Sequence, residues 1–122
     1  MSMQVETRTS DLLARYLDLA ASQTKLTAAN MANIDTPGYR AVGMDFEAEM
    51  REAIESVDRG RPPRQLRLKP VDGLIARPDG NNVSMDRESL NLAEAQLKFK
   101  TGVALIRQEY QRILDAIHAD SK

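Results

Sequence analysis

The sequence predicts a mainly α-helical fold in which two long amphipathic helices, one near each end of the chain, pack as a coiled-coil-like pair. Apolar residues recur at alternating spacings of four and three in both terminal segments, the pattern of a helix with one apolar side. Proline and glycine interrupt the segment between them, which predicts a short helix and a loop or small β-hairpin there. We therefore expect a single domain over residues 1–122, with helices at 10–34 and 87–119 and an insert at 35–86.

The first predicted helix covers residues 10–34, and Ser10 or Asp11 offers the side-chain oxygen of an N-cap. A second row of residues beside the main apolar row becomes polar toward its C-terminal end. Together the two rows form an apolar face that is too wide for one partner helix to cover. The main row consists of Leu13, Leu17, Ala20, Thr24, Thr27, Met31 and Ile34.

The last predicted helix covers residues 87–119 and has Asp86 or Ser89 as its N-cap. Gly102 is its one helix-weakening residue, at a cost of roughly 1 kcal/mol relative to alanine. The apolar face is widened by Leu90, Ala93, Leu97, Ala104 and Leu114. Its main row consists of Leu92, Gln96, Phe99, Val103, Ile106, Tyr110, Ile113 and Ile117.

The middle of the chain contains shorter elements. Residues 44–57 predict an amphipathic helix, with Phe46, Met50, Ile54 and Val57 on one side. Residues 59–64 cannot continue a helix because two prolines and a glycine fall among them. Residues 66–68 and 74–76 form a small hairpin in our prediction, with a type I′ turn at the intervening Asp-Gly pair. A further turn is expected at residues 79–82.

Composition excludes several classes of function. The formal net charge is −1, so the chain lacks the basic excess of a nucleic-acid binder, and aromatic residues are too few for base stacking. There is no cysteine and one histidine, His118, placed to interact with a helix C-terminus. Residues 79–86 resemble a calcium loop, but Ser84 and Leu90 stand where its glycine and glutamate are needed. We expect no enzyme activity, metal, cofactor, nucleic acid or small-molecule substrate.

Charge is unevenly distributed in the insert. Five basic residues, Arg59, Arg61, Arg64, Arg67 and Lys69, follow an acidic stretch at 45–58. Two interpretations remain open: a solvated loop beside a solvated helix face, or a polar rim that pairs patches on neighbouring copies. The first ten residues lack the apolar core of a cleaved signal peptide, and no apolar run is long enough to span a membrane.

The most informative stretch is residues 29–40. Asn30 and Asn33 lie three residues apart on what is otherwise an apolar helix face, so we expect their amides to bond to another backbone or side chain. The residue before a proline leaves the helical region, and Pro37-Gly38 suits a type II turn. Beyond Thr36, Pro37 and Gly38, Tyr39 provides an amphipathic anchor and Arg40 a forked donor.

This stretch, Asn-Met-Ala-Asn-Ile-Asp-Thr-Pro-Gly-Tyr-Arg at 30–40, resembles the N-terminal motif of the bacterial flagellar rod, hook and filament-junction family. Phe46, the Asn-Val-Ser-Met-Asp-Arg-Glu run at 82–88 and Ala-Gln-Leu-Lys-Phe at 95–99 extend the resemblance. The chain is short for that family and has no large inserted domain, which favours a basal-body proximal rod subunit.

The resemblance implies a structural subunit of the proximal rod that polymerises into a torque-transmitting axial shaft. It also implies export through the flagellar type III apparatus without a cleaved signal, and assembly in the periplasm. The implied partners are copies of the chain, other rod proteins, the inner-membrane ring adaptor protein and the export gate.

Both lines of reasoning predict that the amphipathic helix faces and the Asn-Pro-Gly stretch contact other subunits. The alternative is a cytosolic helical-hairpin scaffold or adaptor that self-associates through the same apolar rows. The predicted interface residues are Asn30, Asn33, Thr36, Pro37, Gly38, Tyr39, Arg40, Leu13, Leu17, Met31, Leu92, Phe99, Val103, Ile106, Tyr110, Ile113 and Ile117.

Overall fold

The computed structural model describes the backbone of residues 3–120 and the side chains of residues 8–120. Three helices and two short strands follow in the order α1 (Met3–Ala32), β1 (Val42–Gly43), α2 (Phe46–Asp58), β2 (Lys69–Pro70) and α3 (Met85–Asp120). The long helices α1 and α3 pack against each other in opposite directions, since Asn30 contacts Glu88 while the backbone at Gly102 approaches Leu17. The predicted mainly α fold is confirmed.

The ends of the long helices differ from the prediction. Helix α1 begins at Met3, so the proposed caps Ser10 and Asp11 lie inside it, where an exposed Asp11 keeps its carboxylate in solvent. Helix α3 begins at Met85, and the Ser84 hydroxyl accepts a hydrogen bond from the Arg87 N–H over 3.3 Å. Ser84 is therefore the N-cap, in place of Asp86 or Ser89.

Small residues contribute to the centre of the contact between α1 and α3. On α1, Ala20 is fully buried and Thr27 is 3% exposed. A Cβ atom built on Gly102 would lie 2.7 Å from Leu17 Cδ2 and 3.0 Å from Tyr16 Cδ1, so the helix-weakening glycine leaves the room that these α1 side chains occupy. The buried residues of α3 recur every seven positions, at Glu88, Ala95, Gly102 and Glu109.

The short helix α2 is confirmed and packs on α1. The Asp45 carboxylate accepts a hydrogen bond from the Ala48 N–H over 3.0 Å, which caps its first turn. The Phe46 ring lies edge-on to the Tyr16 ring with centroids 5.6 Å apart, and the Lys98 ammonium lies 3.9 Å from the Phe46 centroid. One aromatic side chain therefore joins all three helices.

The buried side of α2 differs from its apolar row. Glu49, Ala53 and Ser56 are buried, whereas Ile54 of the predicted apolar row is 36% exposed. The Arg64 guanidinium lies 3.4 Å from a Glu49 carboxylate oxygen, and Arg15 of α1 donates to the Ser56 hydroxyl over 3.0 Å, so both the loop after α2 and α1 itself cover this side of the helix.

The basic segment after α2 folds back over the helix from which it emerges. Arg59 lies 3.2 Å from Glu55, and Arg61 lies within 3.9 Å of Glu52 and Glu55. Arg59, Arg61 and Arg64 therefore pair with acidic residues of α2 in the same chain. Neither interpretation based on sequence anticipated this arrangement.

The predicted hairpin is wrong. Strand β2 pairs antiparallel with β1, so that Val42 lies opposite Pro70 and Gly43 opposite Lys69. Residues 66–68 and 74–76 form no strand, and no described residue other than glycine has positive φ, which excludes a type I′ turn at Asp72-Gly73. The Arg67 N–H instead donates to a Glu49 carboxylate oxygen, and the Val71 N–H to the Ala41 carbonyl.

Candidate functional site

The Asn30 side chain lies at the centre of a polar cluster where the C-terminal end of α1 meets the start of α3. It is 1% exposed. Its amide nitrogen donates to the Val42 carbonyl over 2.8 Å and to Glu88 Oε1 over 3.1 Å. Its oxygen accepts from the Tyr39 hydroxyl and from the Val42 N–H. All four hydrogen-bonding positions of this amide are used, so Asn30 fixes the backbone after the turn onto α3.

Glu88 is the charged member of this cluster and is fully buried. The Arg87 guanidinium donates to Glu88 Oε1 over 2.7 Å. The same oxygen therefore accepts hydrogen bonds from both Arg87 and Asn30. The second oxygen, Oε2, is buried without a hydrogen-bond partner in the described part of the chain. A buried oxygen without a hydrogen-bond partner is costly, so the Arg87 and Asn30 hydrogen bonds to Oε1 help to offset the cost of burying this carboxylate.

The end of α1 is capped from the other side of the molecule. The Asn81 amide nitrogen lies 2.9 Å from the carbonyls of Asn33 and Thr36 and 3.0 Å from that of Ile34. The Arg77 guanidinium also donates to the Ile34 carbonyl. These carbonyls belong to the turn that directly follows α1, so a loop far along the chain holds that turn in place.

The Pro-Gly turn has the expected form. The Tyr39 N–H donates to the Thr36 carbonyl over 3.2 Å, and Gly38 has a φ of 76°, as a type II turn requires. The Gly38 N–H then donates to the Asp79 carbonyl over 2.9 Å. Gly80 packs against this turn. A Cβ atom built on Gly80 would lie 3.4 Å from the Gly38 Cα atom.

Asn82 completes the contact between the two segments. Its side-chain oxygen accepts the Ala41 N–H over 2.6 Å, and its own N–H donates to the Tyr39 carbonyl over 3.2 Å. The segments 30–42 and 77–88 therefore form one hydrogen-bonded unit, which we call the polar junction. It lies at the end of the α1–α3 pair and sets the direction in which the chain leaves α1.

The structure separates the two asparagines that the sequence grouped together. Asn30 is buried inside its own subunit, whereas the Asn33 amide bonds only nearby, to the Ala29 carbonyl and the Thr36 hydroxyl. On the outer surface of the junction, Thr36, Pro37, Gly38 and Arg40 are exposed, and Tyr39 is half-buried. A contact with another subunit at this end can use those exposed residues but not the Asn30 amide.

Sequence reasoning assigned no role to four residues of the polar junction: Arg77, Asn81, Asn82 and Glu88. Residues 79–82 were interpreted as a turn, and 82–88 only as part of a resemblance. Two adjacent asparagines directly before a helix are a usable signal, because asparagine amides often cap backbone groups. Their partner, the end of a helix about fifty positions earlier, has no local signal.

The predicted apolar row of α3 is incompletely covered by α1. Phe99 is 43% exposed, Tyr110 59% and Ile117 56%, because the seam with α1 passes through the small buried residues beside this row. On α1, Leu13, Leu17 and Met31 are half-buried, within the seam or at its edge. We name the partly uncovered row the open-face stripe; it consists of Leu92, Phe99, Val103, Ile106, Tyr110, Ile113 and Ile117.

One exposed ion pair ties α1 to the end of α2. The Arg8 guanidinium lies 2.5 Å from Asp58 Oδ1 and 3.2 Å from Oδ2. Its hydrogen bond, and secondarily its charge, lower the pKa of Asp58, while the same contact raises the pKa of Arg8. This pair anchors the outer end of α2.

Within residues 3–120, no helix is both long and apolar enough to cross a bilayer. The described side chains also contain no group of three or more His, Cys, Asp or Glu residues arranged to hold a metal.

Comparison with known proteins places this architecture in a family. Residues 17–40, which include the end of α1 and the Pro-Gly turn, match the family model described as flagella basal body rod protein. The flagellar basal body rod protein FlgB of Salmonella typhimurium is 30% identical, over 83% of this chain and 86% of its own length. The protein of the same name from Escherichia coli K12 is 28% identical over 84% of this chain. The one from Borrelia hermsii is 33% identical over 71% of this chain. The chain therefore belongs to the FlgB family of flagellar basal body rod proteins.

Proposed function

We propose that this chain is a structural subunit of the proximal rod of the flagellar basal body, where it polymerises through helix–helix packing. Family membership supports the rod role. The observation that carries the polymerisation is the open-face stripe, an apolar row along α3 with residues such as Tyr110 still 59% exposed. Uncovered apolar area of this extent marks a protein contact.

The mechanism we propose depends on two features of one subunit. The polar junction fixes the angle between α1 and the insert, so every copy presents the same geometry. The open-face stripe then packs on a neighbouring subunit, and repetition of such a head-to-tail contact gives a helical assembly. Close-packed helices resist compression and shear, which is the property required of a shaft that transmits torque.

The remaining parts of the proposal concern location and partners. Membership of the rod family supports association with other rod proteins, the inner-membrane ring adaptor protein and the export gate. It also supports export through the flagellar apparatus without a cleaved signal, and a periplasmic position in the basal body. The exposed side of the polar junction, at 36–38 and Arg40, is the surface we assign to contacts with those neighbours.

Mass spectrometry of detergent-purified basal bodies, before and after an acid wash that removes the filament, tests the assignment. We expect the chain to remain with the washed core. Its absence from the core together with abundance in the soluble cytoplasm would refute the rod role and favour the cytosolic scaffold.

A pair of substitutions tests the contact surface. Phe99→Glu charges the centre of the open-face stripe, where the side chain is 43% exposed, and is expected to abolish motility while the purified chain stays helical. Leu68→Glu is the matched control, because Leu68 is 53% exposed in the insert. Equal motility of both variants would contradict the proposal.

A further inference from the structure

The insert contains a loop whose two ends meet at a fixed base. Strand β1 pairs with β2, so that Val42 lies opposite Pro70, and the Asn30 amide bonds both the N–H and the carbonyl of Val42. Residues 44–68 leave and return at this base. We name this segment, which consists of α2 and the chain on either side of it, the strap. Because the polar junction holds its base, the strap can change position without any change in the junction.

The strap is held together by its own charges. The Arg64 guanidinium lies 3.4 Å from one carboxylate oxygen of Glu49, and the Arg67 N–H donates to the other over 3.3 Å. Arg59 lies 3.2 Å from Glu55. The loop after α2 is therefore bonded to α2 itself, and the two form one unit.

The contact of the strap with α1 is less closely packed than the seam between α1 and α3. The buried residues of α2 are Glu49, Ala53 and Ser56, which are polar or small. A cleft of about 240 Å³ lies between the strap and α1, lined by Leu19 and Ala53 among other residues. In the seam, by contrast, one alanine from each long helix is fully buried. A loosely packed region opens at a lower free energy than a close-packed one.

Charged side chains attach the strap to the helix pair at both ends of α2. At the C-terminal end, Arg8 of α1 lies 2.5 Å from Asp58, and the two side chains are 48% and 44% exposed. At the N-terminal end, the Lys98 ammonium of α3 lies 3.9 Å from the centroid of the Phe46 ring. Dissolved salt screens ion pairs between exposed groups, whereas it does not weaken apolar packing.

We propose that the strap is a salt-sensitive element, which leaves the α1–α3 pair as a unit when the ionic strength rises while the pair itself stays folded. The Lys98 ammonium is the contact through which α3 holds the strap in place. This inference goes beyond the proposed rod function, because it identifies the part of a subunit that moves while the surfaces of the long helices keep their geometry.

Release of the strap also unfolds α2. The helix has 13 residues, and isolated helices of this length are marginal in water. Its backbone N–H groups then exchange with solvent, whereas those of α1 and α3 remain protected. Hydrogen exchange therefore distinguishes release of the strap from unfolding of the whole chain.

Hydrogen exchange of the purified chain, followed by mass spectrometry at two salt concentrations, tests the proposal. Between about 0.1 M and about 1 M sodium chloride, the Debye length falls from about 10 Å to about 3 Å. We expect peptides from α2 to exchange about three- to tenfold faster at the higher concentration, because exposed ion pairs are lost. Peptides of the seam around Ala20 and Ala95 should be unchanged.

Three results would overturn the proposal. Equal acceleration in α2 and in the seam would show that the chain opens as one unit. Unchanged exchange in α2 would show that salt does not release the strap. Seam peptides that are unprotected at the lower salt concentration would show that there is no folded helix pair for the strap to leave. The rod assignment is independent of these outcomes, since the mass spectrometry of basal bodies tests it separately.

Substitution of Lys98 tests its role. Lys98→Met keeps a long apolar side chain but removes the ammonium, and it should make α2 exchange about tenfold faster at the lower salt concentration while the seam is unaffected. Lys100→Met is the matched control, because Lys100 is exposed on the same helix, and it should leave the exchange of α2 unchanged. Equal exchange of α2 in the two variants would show that Lys98 does not hold the strap.

Discussion

The Asn30 amide nitrogen donates to Glu88 Oε1 over 3.1 Å, joining two residues that are 58 positions apart. The hydrogen bond is buried at both ends, and it connects the last full turn of α1 to the first turn of α3. Because Asn30 also bonds Val42 and Tyr39, this contact links the relative position of both long helices to the course of the chain after the turn.

Removal of the two asparagine amides should have unequal effects. Asn30→Ala leaves several buried groups without partners, at about 1–3 kcal/mol each, so we expect a loss of roughly 3 kcal/mol in the free energy of unfolding. Asn33→Ala removes only local bonds near the surface and should cost about 1 kcal/mol or less. Urea unfolding followed by circular dichroism measures both. Equal losses would show that the buried contact with Glu88 contributes little.

The turn glycines provide a test of backbone conformation separate from packing. Gly38 has a φ of 76°, and no atom lies within 4 Å of the place that a Cβ would occupy, so Gly38→Ala should cost about 1–2 kcal/mol from conformation alone. Gly80→Ala should cost more, because its φ is 87° and its Cβ would lie 3.4 Å from the Gly38 Cα atom. Gly60→Ala, also at positive φ (65°) with no atom within 4 Å, should cost the same amount, about 1–2 kcal/mol, and is the reference for the extra cost at Gly80. A neutral Gly38→Ala would argue against a tightly held turn.

The Arg8–Asp58 ion pair makes the stability of the folded chain depend on pH. The pKa of Asp58 is lowered in the folded chain, mainly by the Arg8 hydrogen bond. The stabilisation is therefore present above the ordinary pKa of an aspartate and is lost as the pH falls through the lowered folded value. In Arg8→Gln, NMR titration of the Asp58 carboxyl should give a pKa closer to the ordinary value. An unchanged titration would exclude Arg8 as the cause.

The parts of the fold that were predictable from sequence are those controlled by nearby residues. The two long helices follow from apolar spacing, and the stop after α1 follows from Pro37 and the positive φ of Gly38. The need of Asn30 for hydrogen-bond partners also followed from the chemistry of a buried amide. For the helices and the turn, the deciding residues lie within a few positions of one another. For Asn30 the sequence predicts the need for partners but not their identity, since Glu88 lies 58 positions away.

The parts that were not predictable depend on contacts distant in sequence. The Asn81 amide caps carbonyls up to 48 positions earlier, and the identity of such a partner is absent from local composition. The burial of Glu49 on α2 was missed for the same reason, since Arg64 covers Glu49 only after the following loop folds back. The hairpin prediction failed because β1, on the other side of α2, pairs with β2.

Gly102 illustrates how a local propensity can mislead. In isolation it destabilises a helix by roughly 1 kcal/mol relative to alanine. Its lack of a side chain becomes favourable only when the side chains of α1 pack against it. Gly102→Val should separate the helices, because its Cβ would lie 2.7 Å from Leu17 Cδ2 and 3.0 Å from Tyr16 Cδ1. We expect a loss of about 2–3 kcal/mol in unfolding free energy, the upper part of the range for overpacking.

The matched control for that substitution is Ala104→Val, which adds a β-branched residue to the same helix at an exposed position and should cost less than about 1 kcal/mol. Combining Gly102→Val with Leu17→Ala makes room at the contact, and should recover part of the lost stability because the two sites are directly coupled. Denaturant titration of the unsubstituted chain, Gly102→Val, Leu17→Ala and the double variant measures the coupling. If the double variant is simply the sum of the two single losses, the close approach at Gly102 does not determine the packing of α1 against α3.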